Sequence, residues 1–417
     1  MIIFGHGFAA PSTGFPISKA VTFHAVLGTD FHGRPRALPA HDAAQRSASS
    51  IMSKTVAHLI AAARPNFMKI APLYHALAAT DWCNPLIVHT GQHYDFNMSD
   101  AFFRDLDLPA PAFNLGVGSG SHAEQTGGVM IAYEKVCIEN RPDWIVVVGD
   151  VNSTVACAMV GTKLWIPVVH LEAGLRSGDR SMPEEINRLI TDAIADVLWT
   201  PSADANENLL RECVPNQKID LIGNIMIDSF ELLRDKIENS RSRQNIGLID
   251  SDYALLTLHR PSNVDHADAL LAFIDALENV ACNVRSVFVS HPRTMKSLKK
   301  HDLMERLTSI ANVDLLDPLP YVDFMNVVTG ARLVITDSGG LQEETTYLGI
   351  PCLTMRENTE RPVTVTHGTN ELVGAADLSE HVEEILNGDW KNASCPPLWD
   401  GDTASRAVTS LKERTFK

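Results

Sequence analysis

No stretch of this chain approaches the ~18 consecutive apolar residues needed to cross a bilayer. Its first residues also lack a basic segment followed by an apolar one, so a secretory leader is not expected. Cysteine is sparse: the seven are odd in number, scattered, and form no CxxC pair. That argues against a disulfide framework or a zinc ribbon and for the reduced thiols of a cytoplasmic protein. Positive charge is in deficit, with 35 Lys and Arg against 51 Asp and Glu, a formal net charge of −16. Such a surface repels nucleic acid and anionic membrane, so neither is expected as a partner. An anionic substrate must instead be met by a local group of cations. The histidines form no HxH or HExxH and the acids form no calcium loop, so no metal site is expected. A serine-hydrolase elbow is missing too, since Gly118-Ser119-Gly120-Ser121 departs from GxSxG.

What is present is an ordinary globular composition, 45% hydrophobic and 21% charged, over 417 residues, enough for two domain-sized cores. Residues 1–52 stand apart, being rich in Gly, Pro, His and Ser with no sustained period. They read as a poorly structured extension, or alternatively as a short extra surface element. Beyond them, short β-branched runs alternate with helical patterns. Strands are predicted at Val56–Ala62, Leu86–Val88, Trp144–Val148, Val168–Leu171, Val197–Trp199 and Ile219–Ile222. A second series follows at Ala254–Leu258, Val287–Ser290, Val313–Leu316, Leu333–Thr336 and Cys352–Met355. Runs without in/out alternation, separated by helices, imply parallel sheets covered on both faces. The expected fold class is α/β, with two doubly wound Rossmann-like domains at 53–224 and 225–400.

Polar residues gather where these strands end: Arg64, Gln92-His93, Asp150, Glu172, His259-Arg260, His291 and Ser338. Ligands of open parallel sheets bind outside the carboxyl ends of the strands. The stretch Thr336-Asp337-Ser338-Gly339-Gly340-Leu341-Gln342-Glu343-Glu344 reads as a strand entering a glycine turn that opens a helix. Gly339 and Gly340 permit close approach of a ligand, and the helix start offers free N–H groups to an anion. Glu344, one to two turns inside, is placed to accept from the vicinal hydroxyls of a sugar. The spacing is neither GxGxxG nor a P-loop and suits a diphosphate-sugar nucleotide. An ordinary Gly-Gly turn explains the motif about as well when it is taken alone.

Asp150 stands at the tip of the apolar run Trp144–Val148, where capping the next helix is the stronger reading for an isolated residue. Glu172 repeats the arrangement after His170-Leu171. Pro183 suits a helix start, which puts Glu184 and Glu185 in the first turn, where they complement the helix dipole. Glu184 and Arg188 lie four apart on one helix face, and with Asp150 and Glu172 they make a candidate acid/base cluster. Lys69 reaches a phosphate or a carboxylate, or merely makes a surface salt bridge. His259, at the end of the first strand of the second series, gains meaning only if it faces that cluster across a cleft.

Together these residues resemble the UDP-N-acetylglucosamine 2-epimerase family of the non-hydrolysing bacterial type. The resemblance runs from about Lys54 to Gly374. It rests on Ala63–Leu73, Thr90–Asp95, Gly116–Gly127, Val147–Thr154, His170–Asp179, Pro183–Arg188, Thr257–Asn263, Ser290–Thr294, Thr336–Glu344 and Arg356–Thr364. It implies a GT-B-like pair of Rossmann-like domains facing across a cleft, with a C-terminal helix at 401–417 crossing back to the first domain. It implies that Ser338, Gly339, Gly340 and Glu344 contact phosphate and ribose, with His259 and Arg64 near the diphosphate and Phe324 at uracil or ribose. Asp150, Glu172 and Glu184 correspond to the acid/base carboxylates, supported by Lys69 and Arg188. Many members read Gly-Thr-Arg-Pro-Glu where this chain has Ala62-Ala63-Arg64-Pro65-Asn66.

The implied reaction interconverts UDP-N-acetylglucosamine and UDP-N-acetylmannosamine by inversion at C2. It proceeds through elimination of UDP to a 2-acetamidoglucal and re-addition, without a cofactor. The resemblance also implies a homodimer and a second, activating UDP-sugar near Gln92, His93 and His291. Rival readings are the same chemistry on a related sugar such as a UDP-diacetamido-uronate, a hydrolysing epimerase, a GT-B glycosyltransferase, and a non-catalytic nucleotide-sugar binder.

Overall fold

The computed structural model describes residues 54–91, 105–249 and 251–417, except for the Arg64 side chain. The extension at 1–52 and the pair Gln92-His93 lie outside the described residues. The first half of the chain forms β1 (Thr55–Ala61), β2 (Cys83–His89), β3 (Phe113–Asn114), β4 (Trp144–Val148), β5 (Val168–Leu171), β6 (Val197–Thr200) and β7 (Ile219–Leu221). They join in a 7-stranded sheet in the order β3-β2-β1-β4-β5-β6-β7. The second half forms β8 (Tyr253–Thr257), β9 (Arg285–Val289), β10 (Val313–Leu316), β11 (Leu333–Thr336), β12 (Cys352–Thr354) and β13 (Asn370–Leu372). Their 6-stranded sheet runs β10-β9-β8-β11-β12-β13.

All the pairings are parallel. Each sheet therefore reverses its winding beside its first strand, between β1 and β4 and between β8 and β11. Those two switch points are where a doubly wound sheet opens a crevice for ligand. The predicted strands reappear with their ends moved by a few residues. The edge strands β3 and β13, two and three residues long, escaped prediction because so short a run carries no period.

β4 shows why these runs become central strands. Trp144-Ile145-Val146-Val147-Val148 is buried throughout, so both faces need apolar, mostly β-branched side chains. One face of each sheet feeds a shared core. Leu59, Val146 and Leu171 come from the first sheet and Leu255, Val287 and Val334 from the second. Phe230, Leu233 and Ile237 of the helix Ile225–Asn239 belong to the same cluster. Each such side chain contributes roughly 1.5–3 kcal/mol on burial. The same helix is pinned to the first domain by Ser229 Oγ, which donates to the Met68 carbonyl at 2.7 Å. The outer faces of the two sheets have cores of their own.

The helix Thr403–Thr415 crosses back onto the first sheet. Trp144 Nε1 donates to Thr415 Oγ1 at 2.9 Å, and Trp199 Nε1 donates to Ser410 Oγ at 2.8 Å. The Asp220 carboxylate accepts from Ser410 Oγ at 2.6 Å and Arg414 Nη2 at 2.8 Å. The return is tight at Gly223, whose φ is +97° and whose missing Cβ would stand 2.2 Å from the Leu398 carbonyl oxygen. Among the described residues no helix is long and apolar enough to cross a membrane.

Candidate active site

A cleft of about 1850 Å³ is lined from both sheets, by residues that follow β1, β4, β8, β11 and β12 among others. On the first-sheet side, Asp150 follows β4 and pairs with Arg188 Nη1. It therefore does not cap the helix Asn152–Lys163, whose N-cap, Val151, brings no side-chain bond. Arg188 is buried, and its Nε and Nη2 donate to Glu185 Oε2 at 3.1 and 2.7 Å. The expected Glu184–Arg188 pair is thus corrected to Glu185–Arg188. Position 185 turns inward, where the backbone N–H groups of Ser177 and Gly178, each at 3.0 Å, complete the carboxylate's shell. Glu184 is left exposed at the cleft with no ion pair among the described residues.

Glu172 follows β5 in the left-handed region, at φ +74°. That unusual backbone is held because the N–H groups of Glu172 and Ala173 both donate to the Trp199 carbonyl, at 3.1 and 3.0 Å. Its Oε2 takes Lys69 Nζ, while its Oε1 is buried with no hydrogen-bond partner among the described residues. Burial pushes this carboxyl up, but the Lys69 and Arg361 charges outweigh it and hold it below the ordinary carboxylate value. Gly149 makes room for the pair: at φ +67°, its missing Cβ would lie 3.3 Å from Glu172 Oε2 and 3.6 Å from Lys69 Nζ. Asn66 is buried. Its Oδ1 accepts from Ala63 N at 2.9 Å, and its Nδ2 donates to the Val148 carbonyl at 3.2 Å.

On the second-sheet side, His259 follows β8. Its Nδ1 lies 2.9 Å from Asp337 Oδ1, and the same carboxylate accepts from the backbone N–H of Arg260 at 2.8 Å and from Asn263 Nδ2 at 3.0 Å. Burial pushes Asp337 up, but His259 and these donors hold it below its ordinary value. The His291 ring lies 5.2 Å from that of His259, and burial together with the His259 charge keeps His291 below the usual histidine value.

Ser338 is the N-cap of the helix Gly339–Leu348, yet its side chain makes no capping bond. The Cβ that Gly340 lacks would meet nothing within 4 Å, whereas that of Gly339 would stand 2.8 Å from Arg361 Nη1. Glu344 is buried and accepts from Tyr321 O–H at 2.6 Å, and burial pushes its carboxyl up to about 7. Phe324 lines the same cleft, half-buried. The Arg64 side chain, Gln92 and His93 lie outside what the structure describes.

Sequence reasoning missed Asp337, Glu185, Glu343 and Arg361. All four stand inside motifs that it quoted, but their partners are distant in sequence or lie one position away from the expected one. Glu343 Oε1 is 2.8 Å from Arg361 Nε, and Arg361 Nη1 donates to Glu360 Oε1 at 2.5 Å.

Two facing Rossmann-like sheets, one presenting carboxylates and the other a glycine-opened helix start, define a GT-B-like enzyme of nucleotide sugars. The family model described as UDP-N-acetylglucosamine 2-epimerase matches residues 75–412. A UDP-N-acetylglucosamine 2-epimerase of Methanocaldococcus jannaschii is 43% identical over 364 residues, which is 85% of this chain and 98% of the relative. A UDP-2,3-diacetamido-2,3-dideoxy-D-glucuronate 2-epimerase of Pseudomonas aeruginosa is 39% identical over 321 residues, 76% of this chain and 88% of the relative. The crystal structure of the M. jannaschii UDP-GlcNAc 2-epimerase in complex with UDP-GlcNAc and UDP superposes with a TM-score of 0.78 at 41% identity, covering 86% of this chain and 100% of that one. The chain belongs to the UDP-N-acetylglucosamine 2-epimerase family.

Proposed function

We propose that this enzyme inverts C2 of UDP-N-acetylglucosamine by eliminating UDP and adding it back. The observation that carries this reading is the division of labour across the cleft. Asp150 and Glu184 line it from the first-sheet side, with Glu172 buried against the cleft-lining Lys69, and His259, Ser338, Gly339 and Gly340 stand opposite. The hydrogen on C2 is not acidified by a carbonyl, so its removal must be coupled to departure of the diphosphate. A carboxylate takes the C2 proton, the electron pair forms the C1=C2 bond, and the C1–O bond breaks to release UDP. Re-addition with a proton delivered to the other face gives UDP-N-acetylmannosamine.

Glu172, ionised beside Lys69, and Asp150, held by Arg188, are suited to proton transfer on the sugar. His259, oriented by Asp337, and the Gly339 and Gly340 amides with the Ser338 hydroxyl are suited to the charge that develops on the leaving diphosphate. Arg64 joins them by its position at the start of its helix. Glu344 and Phe324 are suited to ribose and uracil. The Pseudomonas relative favours a second reading, the same chemistry on a diacetamido-uronate. Dimerisation and an activating UDP-sugar beside His291 belong to the reading on the strength of family membership.

Incubation with UDP-N-acetylglucosamine in D2O tests it. The expected products are UDP-N-acetylmannosamine and deuterium at C2 of both sugars. Epimerisation without deuterium overturns the elimination, and turnover of the diacetamido-uronate alone selects the second reading.

A further inference from the structure

We propose that His170 is a positioning residue of the epimerisation: paired with Asp192, it holds the two turns that carry Asp150 and Glu172. Its ring is wholly buried in β5, two residues before Glu172. Nε2 lies 2.8 Å from the Gly149 carbonyl oxygen, and Nδ1 lies 2.6 Å from Asp192 Oδ1. A carbonyl oxygen can only accept, so Nε2 donates. Asp192, on the helix Pro183–Ile194, is buried as well. Burial pushes its carboxyl up, but His170, Arg176 and the Gly174 N–H hold it below its ordinary value, so it too accepts. Both ring nitrogens therefore carry protons, and the ring stands as an imidazolium against the carboxylate.

Each end of this pair fixes one turn. Gly149, in the left-handed region at φ +67°, directly precedes Asp150. Its N–H donates to the Leu171 carbonyl at 3.1 Å, and its own carbonyl is the acceptor for Nε2. Released from His170, the peptide between Gly149 and Asp150 could rotate. Asp150 would then swing away from Arg188, and the space that Gly149 leaves beside Glu172 Oε2 and Lys69 Nζ would change shape. At the other end, Asp192 Oδ2 accepts from the Gly174 N–H at 3.0 Å and lies 2.7 Å from Arg176 Nη1. Those bonds pin the turn in which Glu172 takes its left-handed backbone.

The helix that supplies Asp192 also supplies Arg188, on the Asp150 carboxylate, and Asn187, whose Nδ2 donates to the Asp150 carbonyl at 2.8 Å. One helix thus braces both carboxylates from behind the sheet edge. Neither His170 nor Asp192 lines the cleft, so they act on the sugar only through the residues they hold. A displacement of about 1 Å in a reacting group costs on the order of 10²-fold in rate.

Two substitutions separate the bonds. An asparagine amide reaches about as far as Nδ1 and keeps the Asp192 bond; a glutamine amide reaches about as far as Nε2 and keeps the Gly149 bond. Both remove the charge facing Asp192, so both should melt earlier by similar amounts. In His170→Asn, kcat for UDP-N-acetylglucosamine falls about 10²-fold. In His170→Gln it stays within about tenfold of wild type, and calorimetric UDP affinity stays within about threefold in both. Equal kcat in the two variants, whether normal or collapsed, overturns the inference. It rests on the proposed roles of Asp150 and Glu172, so normal turnover in Asp150→Asn and Glu172→Gln overturns that reading and the inference together. Normal turnover in His170→Asn alone leaves the reading standing. If His170→Asn does not fold, His170→Gln and Asp192→Asn decide. The asparagine amide at 192 can donate to Nδ1 while its oxygen accepts from Gly174, which leaves the Nε2 proton on Gly149. Both variants should then keep kcat within about tenfold, and a fall of about 10²-fold in either overturns the inference.

Discussion

Arg188 is bonded to Glu185, three residues before it, and not to Glu184, four residues before it. Adjacent glutamates in one helical turn therefore have different tasks. Glu185 is buried, and its carboxylate takes two backbone N–H groups and Arg188, so neutralising it leaves a buried guanidinium to Asp150 alone. Glu185→Gln is expected to cost about 3 kcal/mol in chemical denaturation. Glu184, exposed and without an ion pair among the described residues, should be replaceable by Gln with an unchanged denaturation midpoint but a loss of roughly 10²–10⁴-fold in turnover. The reverse pattern, a stability loss at 184 with normal turnover, would make Glu184 structural. Asp150→Asn and Glu172→Gln belong on the same side as Glu184→Gln in turnover. Glu172→Gln also releases the half-buried Lys69, and Asp150→Asn leaves the buried Arg188 to Glu185 alone, so both should melt somewhat earlier.

Ser338 bears on nucleotide affinity. Its hydroxyl does not cap its own helix and, among the described residues, accepts no helix N–H, which suits it to a ligand at the helix start. Ser338→Ala removes a hydrogen bond to a charged group, roughly 1.5–3 kcal/mol. UDP affinity should fall by about one to two decades with the melting temperature unchanged. Equal calorimetric affinities for variant and wild type would move the diphosphate away from this turn.

How far the sequence revealed this site depended on distance along the chain. Asp150, Glu172, His259 and Ser338 were legible because a parallel strand delivers whatever follows it to one edge of the sheet. Their partners were not. Asp337 holds His259 across 78 residues, and Lys69 reaches Glu172 across 103, separations over which no local pattern operates. Glu185 and Glu184 were indistinguishable because both i+3 and i+4 fall on one helix face, and only the Ser177–Gly178 loop chooses between them. Arg361 and Glu343 were hidden for a further reason. Arg356–Thr364 contributed to the family resemblance, but nothing within it says that the second of its two arginines, Arg361, turns back under Gly339.

Glu344 makes stability depend on pH. Its folded value, pushed up by burial to about 7, lies above the ordinary carboxylate value of 4.5. The native state therefore keeps a proton that the unfolded chain gives up. The contribution is fully present below about pH 4.5 and is lost as pH rises through about 7. The loss is on the order of 3 kcal/mol. Glu344→Gln mimics the protonated acid and can still accept from Tyr321. It should match wild type near pH 4.5 and exceed it above pH 7 in ligand-free denaturation. Parallel curves for the two proteins across that window would mean that Glu344 is ionised in the native state throughout.

Asn66 is a buried amide one turn from Lys69 that ties β1 to the end of β4. The side chain uses both ends of its amide, accepting from the Ala62 and Ala63 N–H groups at 3.3 and 2.9 Å and donating to the Val148 carbonyl at 3.2 Å. A carboxylate can do the first but not the second. Asn66→Asp therefore keeps the shape and the acceptor while leaving the Val148 carbonyl facing a negative charge in a buried site. Protonation restores a donor, so the folded value of this new acid must lie above its unfolded one. The variant should be near wild type in stability at low pH and lose about 1–3 kcal/mol as pH rises past the ordinary carboxylate range. Because Val148 leads directly into Gly149 and Asp150, turnover should fall over the same interval while UDP affinity, which the proposed function assigns to the other sheet, does not. Denaturation midpoints, kcat and calorimetric UDP affinity across that pH range decide the matter. A variant equally stable at low and neutral pH would show that Lys69, whose Nζ stands beside the same vacant Gly149 Cβ position as Asn66 Nδ2, neutralises the new charge and that the Val148 bond is dispensable.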